Sequence, residues 1–200
     1  MLCRYAGERI GIKRVSDEVS ACSGSGVSAT QVNAAIDYLE NTLLIRLLKP
    51  LEIGRKRNTS PPTICLCDHF IRYALLREEI PLVPLLLKGK NETLATQAGH
   101  LVEGIVGNMF ASTQGVDAFF FPKRENEPEV DVVLSIGVKH LPIEVKYRNK
   151  ISQSDLSGLR SFCGKAHYDA PFGIVVTQTQ AGEIAPGIIA VPAKALLVLL

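Results

Sequence analysis

No stretch of this chain approaches the roughly 18–20 continuous apolar residues that a membrane-crossing helix needs, and the apolar ending Ala195-Leu196-Leu197-Val198-Leu199-Leu200 is far too short. Residues 1–11 lack the hydrophobic centre of a signal peptide, so the sequence predicts a cytoplasmic protein without a membrane anchor. A strong charge of either sign is also missing. The 22 Lys and Arg residues stand against 20 Asp and Glu for a formal net charge of +2, which excludes a protein that coats DNA by bulk charge and leaves any polyanion contact to local patches. The cysteines number five, an odd count, and Cys65 and Cys67 fit neither zinc-finger spacing nor a disulfide framework, which predicts reduced, buried thiols. His69, His100, His140 and His167 are scattered without a zinc-ligand spacing. Absent too is a Gly-x-x-x-x-Gly-Lys-Ser/Thr phosphate loop. Gly89-Lys90-Asn91 has no glycine five positions upstream of Gly89, and the glycines of 23–26 have no lysine, so this polypeptide is not predicted to hydrolyse ATP.

What is present is enough apolar material, 46% of 200 residues, to bury a core of one large or two small domains. Two are favoured: a unit over 1–78, a connector over 79–94 and a second domain over 95–200. In the first, Ser28 followed three residues later by Gln31 has capping-box form. Val32, Ala35, Ile36, Leu39 and Leu43 then keep helical spacing, predicting an amphipathic helix over 28–42. A shorter helix over 10–20 precedes it. After it, strand-like runs at 44–50 and 63–67 flank a basic, turn-rich loop carrying Arg55, Lys56 and Arg57. Helix, turn, helix and two short strands around a basic loop describe a small winged-helix domain. In one reading the capped helix enters a major groove while the loop touches phosphates; in the other the module serves protein or interdomain contact.

The second domain opens with a helical pattern over 96–111, on which Gly99, Glu103 and Gly107 fall four apart, so small residues on either side of a lone glutamate would let another element approach it. Strands are expected over 116–121, 130–136, 139–147, 172–177 and 188–192, with a helix over 154–163. This order predicts an α/β fold, a mixed sheet flanked by helices.

The chemistry concentrates on two of those strands. Glu144 and Lys146 are two residues apart in Ile143-Glu144-Val145-Lys146 and share one face of an extended strand. Asp131, in Glu129-Val130-Asp131, precedes them by a hairpin's length and could lie alongside Glu144, where two carboxylates would attract a divalent cation. A Glu-x-Lys pair is also an ordinary ion pair on an exposed sheet, and only its surroundings make it specific. Lys123, Arg124, Arg148 and Lys150 flank the hairpin, either steering a polyanion toward it or forming a solvated rim.

The succession helix-Glu, strand-Asp, strand-Glu-x-Lys, helix, strand resembles the PD-(D/E)XK nuclease-like fold, the restriction-endonuclease core, over residues 95–192. With Gly99-His100-Leu101-Val102-Glu103 and the winged-helix pattern upstream, it looks like the C-terminal DUF4143 region of prokaryotic AAA-type ATPases, without the ATPase module. The resemblance implies a restriction-endonuclease-like sheet and DNA cleavage with Mg²⁺ or Mn²⁺. Asp131, Glu144 and the Val145 carbonyl would hold the metal, Lys146 would orient or deprotonate the attacking water and offset charge, and Glu103 would tune the metal or hold Lys146. It equally allows a catalytically inactive region that binds DNA or protein and regulates a separate or missing ATPase module.

Overall fold

The computed structural model describes residues 2–52, 59–80, 92–125 and 127–198. The predicted basic loop, with Arg55, Lys56 and Arg57, lies outside the described residues, as does most of the expected connector.

After a single 3₁₀ turn (Leu2–Tyr5), helix α1 (Ile12–Ser23) ends on Gly24, whose φ of +67° places it in the left-handed region that closes a helix C-terminus. Helix α2 (Ala29–Asn41) starts as its sequence predicts: the Gln31 amide donates to Ser28 Oγ at 3.3 Å and the Ser28 amide donates to Gln31 Oε1 at 2.8 Å. Only Val32 and Ile36 of the expected stripe are fully buried. Ala35 is exposed, and Leu43 lies beyond the helix with φ +57° and 61% of its surface open. Strands β1 (Ile45–Pro50) and β2 (Thr63–Leu66) form an antiparallel hairpin, and α3 (Phe70–Leu76) follows.

The hairpin does not stand apart. β1 pairs in parallel with β3 (Asp117–Phe121), Lys49 beside Phe119 and Pro50 beside Phe120. With β4 (Val130–Ile136), β5 (Lys139–Val145), β6 (Gly173–Thr177), β7 (Gly182–Ala185) and β8 (Ile188–Pro192) this gives one eight-stranded mixed sheet in the order β2-β1-β3-β4-β5-β6-β8-β7. β3, β4 and β5 form an antiparallel meander, and β5 runs parallel to β6.

Helices cover both faces. The long α4 (Glu92–Ser112) lays Val102, Val106 and Phe110 on Val132, Leu134, Ile143 and Val145, and the last helix α6 (Ala193–Val198) adds Leu196 to the same core. On the other side α5 (Ser157–Cys163) packs Leu159 and Phe162 against Val133, Val175 and Phe121. α5 starts three residues later than expected, because 153–156 form a 3₁₀ turn capped by Ser152 and Asp155. A third cluster, built from Ile10, Val15, Val32, Ile36, Ile45 and Ile64, fills the N-terminal unit. No helix among the described residues is long and apolar enough to cross a membrane.

Candidate active site

Alternation along β4 and β5 decides which side chains meet. Val132, Leu134, Ile143 and Val145 turn into the core under α4, so Glu144 leaves by the other face, where α5 lies, whereas at Asp131 the regular alternation of β4 is broken by a register shift against β3 between Val130 and Val133. The register pairs Val132 with Ile143, and just beyond it the Val145 amide reaches Asp131 Oδ2 across the two strands. Gly158 of α5 makes this possible: a Cβ there would sit 3.5 Å from Glu144 Oε2 and only 2.5 Å from the Glu129 carbonyl oxygen. Helix and strand approach closely because that residue has no side chain.

The expected residues come together around one atom. The Lys146 ammonium donates to Glu144 Oε1, lies 3.7 Å from Asp131 Oδ2 and 3.5 Å from the Val145 carbonyl oxygen. Asp131 is held in place by the Val145 amide, which donates to its Oδ2 at 2.8 Å. Glu144 Oε2 is buried and has no hydrogen-bond partner among the described residues, an arrangement that costs free energy unless something else satisfies it.

The electrostatics follow from the crowding. Burial, reinforced by the nearby Glu103 charge, raises the Asp131 carboxyl above the ordinary carboxylate range. Burial and the Asp131 charge raise Glu144 in the same direction. For Lys146, burial pulls downward, but Asp131 and Glu144 outweigh it and the ammonium rises above the ordinary lysine value. Lys146 is therefore firmly charged, which suits an electrostatic role and not that of a proton acceptor.

Glu103 reaches the cluster by its charge and does not hold Lys146. It approaches from α4, the other layer, and pairs with His100, Nδ1 to Oε2 3.5 Å, while Lys146 is held by Glu144 and Asp131. This pairing raises the His100 imidazole. Of the small residues flanking Glu103, Gly107 faces Cys65 Sγ while Gly99 faces open space, and Gly104, next to Glu103 in sequence, faces Gly7. Burial pushes the Cys65 thiol up to about 12, making it inert, whereas Cys22 is exposed, against the expectation that all thiols are buried.

The cations expected to steer a polyanion divide in two. Arg124 lies 4.7 Å over the Phe121 ring with Nη1 3.6 Å from Glu127 Oε2, and Arg148 is paired with Asp155; Lys123 and Lys150 are exposed. Two participants escaped the sequence reading. Arg9 forms a two-pronged ion pair with Glu129, at 2.7 and 2.9 Å, just ahead of β4. Gly158 is the other, and no local pattern marks either of them.

The donor set tests well against a divalent cation. Two carboxylates and a backbone carbonyl are hard oxygen ligands of the kind Mg²⁺ or Mn²⁺ takes, and the bare Glu144 Oε2 supplies an unsatisfied acceptor. Among the described residues no three His, Cys, Asp or Glu side chains are gathered for a metal, so the Val145 carbonyl and water would have to complete the shell.

Residues 98–196 match the model of a family described as a domain of unknown function, DUF4143, and Glu103, Asp131, Glu144 and Lys146 all fall within that span. No curated protein and no solved structure matches the chain.

Proposed function

We propose that the DUF4143 domain of this chain is a phosphodiesterase dependent on Mg²⁺ or Mn²⁺, acting on DNA. One observation carries the reading: oxygens of Asp131, Glu144 and Val145 converge on the Lys146 ammonium, with the second Glu144 oxygen left without a donor. An ammonium ringed in this way marks a place that attracts positive charge. The element order α4-β3-β4-β5-α5-β6, with an antiparallel meander and then a parallel pair, supports reading the sheet as restriction-endonuclease-like.

A divalent cation held by Asp131, Glu144 and the Val145 carbonyl would neutralise charge on a phosphate and lower the pKa of a water molecule. The chain's own residues do the rest. Asp131, fixed by the Val145 amide, keeps its orientation in the absence of substrate. Lys146, charged through its carboxylate neighbours, offsets the negative charge that develops on a phosphate under attack. Glu103 adds a further negative charge from α4 and orients His100.

Cleavage of single-stranded, duplex and branched DNA is the test. Activity with Mg²⁺ or Mn²⁺ that vanishes in Asp131→Ala and Lys146→Ala is the expected result, and none from concentrated wild-type protein on any substrate overturns the reading.

A second reading applies to the N-terminal unit. The exposed positions of α2 include Asn33, Asp37 and Tyr38, and the helix carries no Lys or Arg. A helix that docks in a major groove needs cations against phosphates. The acidic face instead favours protein contact, as in a regulatory region that binds an ATPase module. Partner binding that persists when Asp131 and Glu144 are made Asn and Gln, with no cleavage by the wild type, is what that reading expects.

A further inference from the structure

Glu129 stands two positions before Asp131, the spacing that puts side chains on one face of an extended chain, and it is restrained. Arg9 grips it with both guanidinium nitrogens, Nη1 donating to Oε2 at 2.7 Å and Nη2 to Oε1 at 2.9 Å. The guanidinium is itself fixed, with Cζ 4.6 Å over the Phe120 ring, and the Arg9 backbone bridges to Thr63. With side chains 25% and 44% exposed, such a pair adds little to stability; its placement is the informative part. The Glu129 backbone is pinned, since its carbonyl oxygen lies against Gly158, so the adjustable part is the side chain that Arg9 holds. That carbonyl and Glu144 Oε2 lie against the same residue, Gly158, which sets the Glu129 backbone beside the site.

We infer that Arg9 is a positioning residue for the cation site: it holds Glu129 aside and cancels its charge, so that the site works with the Asp131 and Glu144 carboxylates and not with a third. The inference rests on the cation reading proposed above. A released Glu129 carboxylate would add anionic oxygen to the site, binding a hard cation more tightly while taking a position a phosphate needs. The same N-terminal strap touches the other acid-bearing element, for Gly7 has φ +82° and a Cβ there would fall 1.7 Å from the His100 carbonyl oxygen. Residues of the N-terminal unit therefore border the site on α4, near Glu103, and ahead of β4, near Asp131.

The sign of the effect separates this role from a scaffolding one. Mn²⁺ binding to the full chain is measured by calorimetry and by the spin-resonance signal of free Mn²⁺. Arg9→Ala is expected to tighten binding roughly tenfold, the effect of one uncompensated charge near a partly buried site. Glu129→Gln, which leaves the Arg9 charge unpaired, is expected to weaken binding by a similar factor, and the double variant to return close to wild type. A purely structural contact predicts the reverse for Arg9→Ala, a looser site that binds less. If the wild type binds Mn²⁺ and Arg9→Ala binds equally or more weakly, the inference is overturned while the cation reading stands. If the wild type binds no Mn²⁺, both fall. Should circular dichroism show Arg9→Ala unfolded, Glu129→Gln decides: weaker binding supports the inference and unchanged binding overturns it.

Discussion

Glu127 and Glu144 are both enclosed carboxylates facing a lysine, with side chains 11% and 9% exposed, yet they end in opposite electrostatic states. Glu127 Oε1 accepts from Lys165 Nζ and from the Tyr168 hydroxyl at 2.7 Å, and Arg124 stands by its other oxygen. Burial pushes Glu127 up, but these donors outweigh it and hold the carboxyl below the ordinary range. Glu144 shares one lysine with Asp131 and leaves an oxygen bare, so burial and the neighbouring carboxylate prevail and its value rises. Similar side-chain exposure thus goes with a satisfied structural acid in one place and a poised acid in the other. The difference lies in how many donors each meets and in the heavier desolvation of Glu144, which lies deeper in the protein, and acids perturbed in this way cluster at functional sites.

The strongest way to break the comparison is to remove the poised group. Asp131→Ala or Lys146→Ala should lower Mg²⁺-dependent cleavage by about 10³-fold or more, while Glu127→Gln should leave it within roughly threefold, as steady-state rates on a DNA substrate would show. Next in size is the packing beneath Glu144. Gly158→Ala forces a methyl against the Glu129 carbonyl oxygen and should cost about 1–3 kcal/mol in urea unfolding. Smaller again, Glu127→Ala strips Lys165 and Tyr168 of their acceptor and should cost about 1–2 kcal/mol, discounted for the partial exposure of Lys165. Glu144→Gln, by contrast, removes a carboxyl whose charged form is disfavoured by burial and by Asp131, and should be neutral or stabilising in the same melts.

The smallest effect is on pH dependence. Asp131 and Glu144 have raised values in the folded state, so between the ordinary carboxylate range and those values the native protein holds protons the unfolded chain has released. Stability therefore falls as pH rises through that window. Thermal melts from about pH 5 to about pH 9 should show the decline in the wild type and a shallower one in Glu144→Gln. Glu127, with a lowered value, contributes stability above its ordinary range and loses it only as pH falls through the lowered one.

The pair of strands carrying Asp131 and Glu-x-Lys was legible because period-two alternation fixes which residues share a face, and the capped start of α2 because Ser28 and Gln31 form a local device. Helix α4 was legible by its periodicity, though it begins earlier than its apolar stripe. β7 escaped notice because Gly182-Glu183-Ile184-Ala185 is short and contains no apolar run; its pairing with β8 makes it a strand. Arg9 and Glu129 escaped for another reason. They are distant in sequence, and nothing in either segment encodes the encounter. Likewise the satisfaction of Glu127 and the privation of Glu144 depend on neighbours supplied by the tertiary fold, so the two acids look alike in the sequence.

The parallel pairing of β1 with β3 bears on how the polypeptide can be divided. Leu48 and Cys65 of the N-terminal hairpin are buried in the core beneath α4, and β1 occupies the side of β3 away from β4. A polypeptide begun at residue 98, where the family match begins, would present β3 as a bare edge rich in phenylalanine and α4 with an uncovered apolar flank, the combination that leads to association between chains. The matched segment and the N-terminal unit should accordingly melt in a single transition, and the shorter piece should be recovered as aggregate.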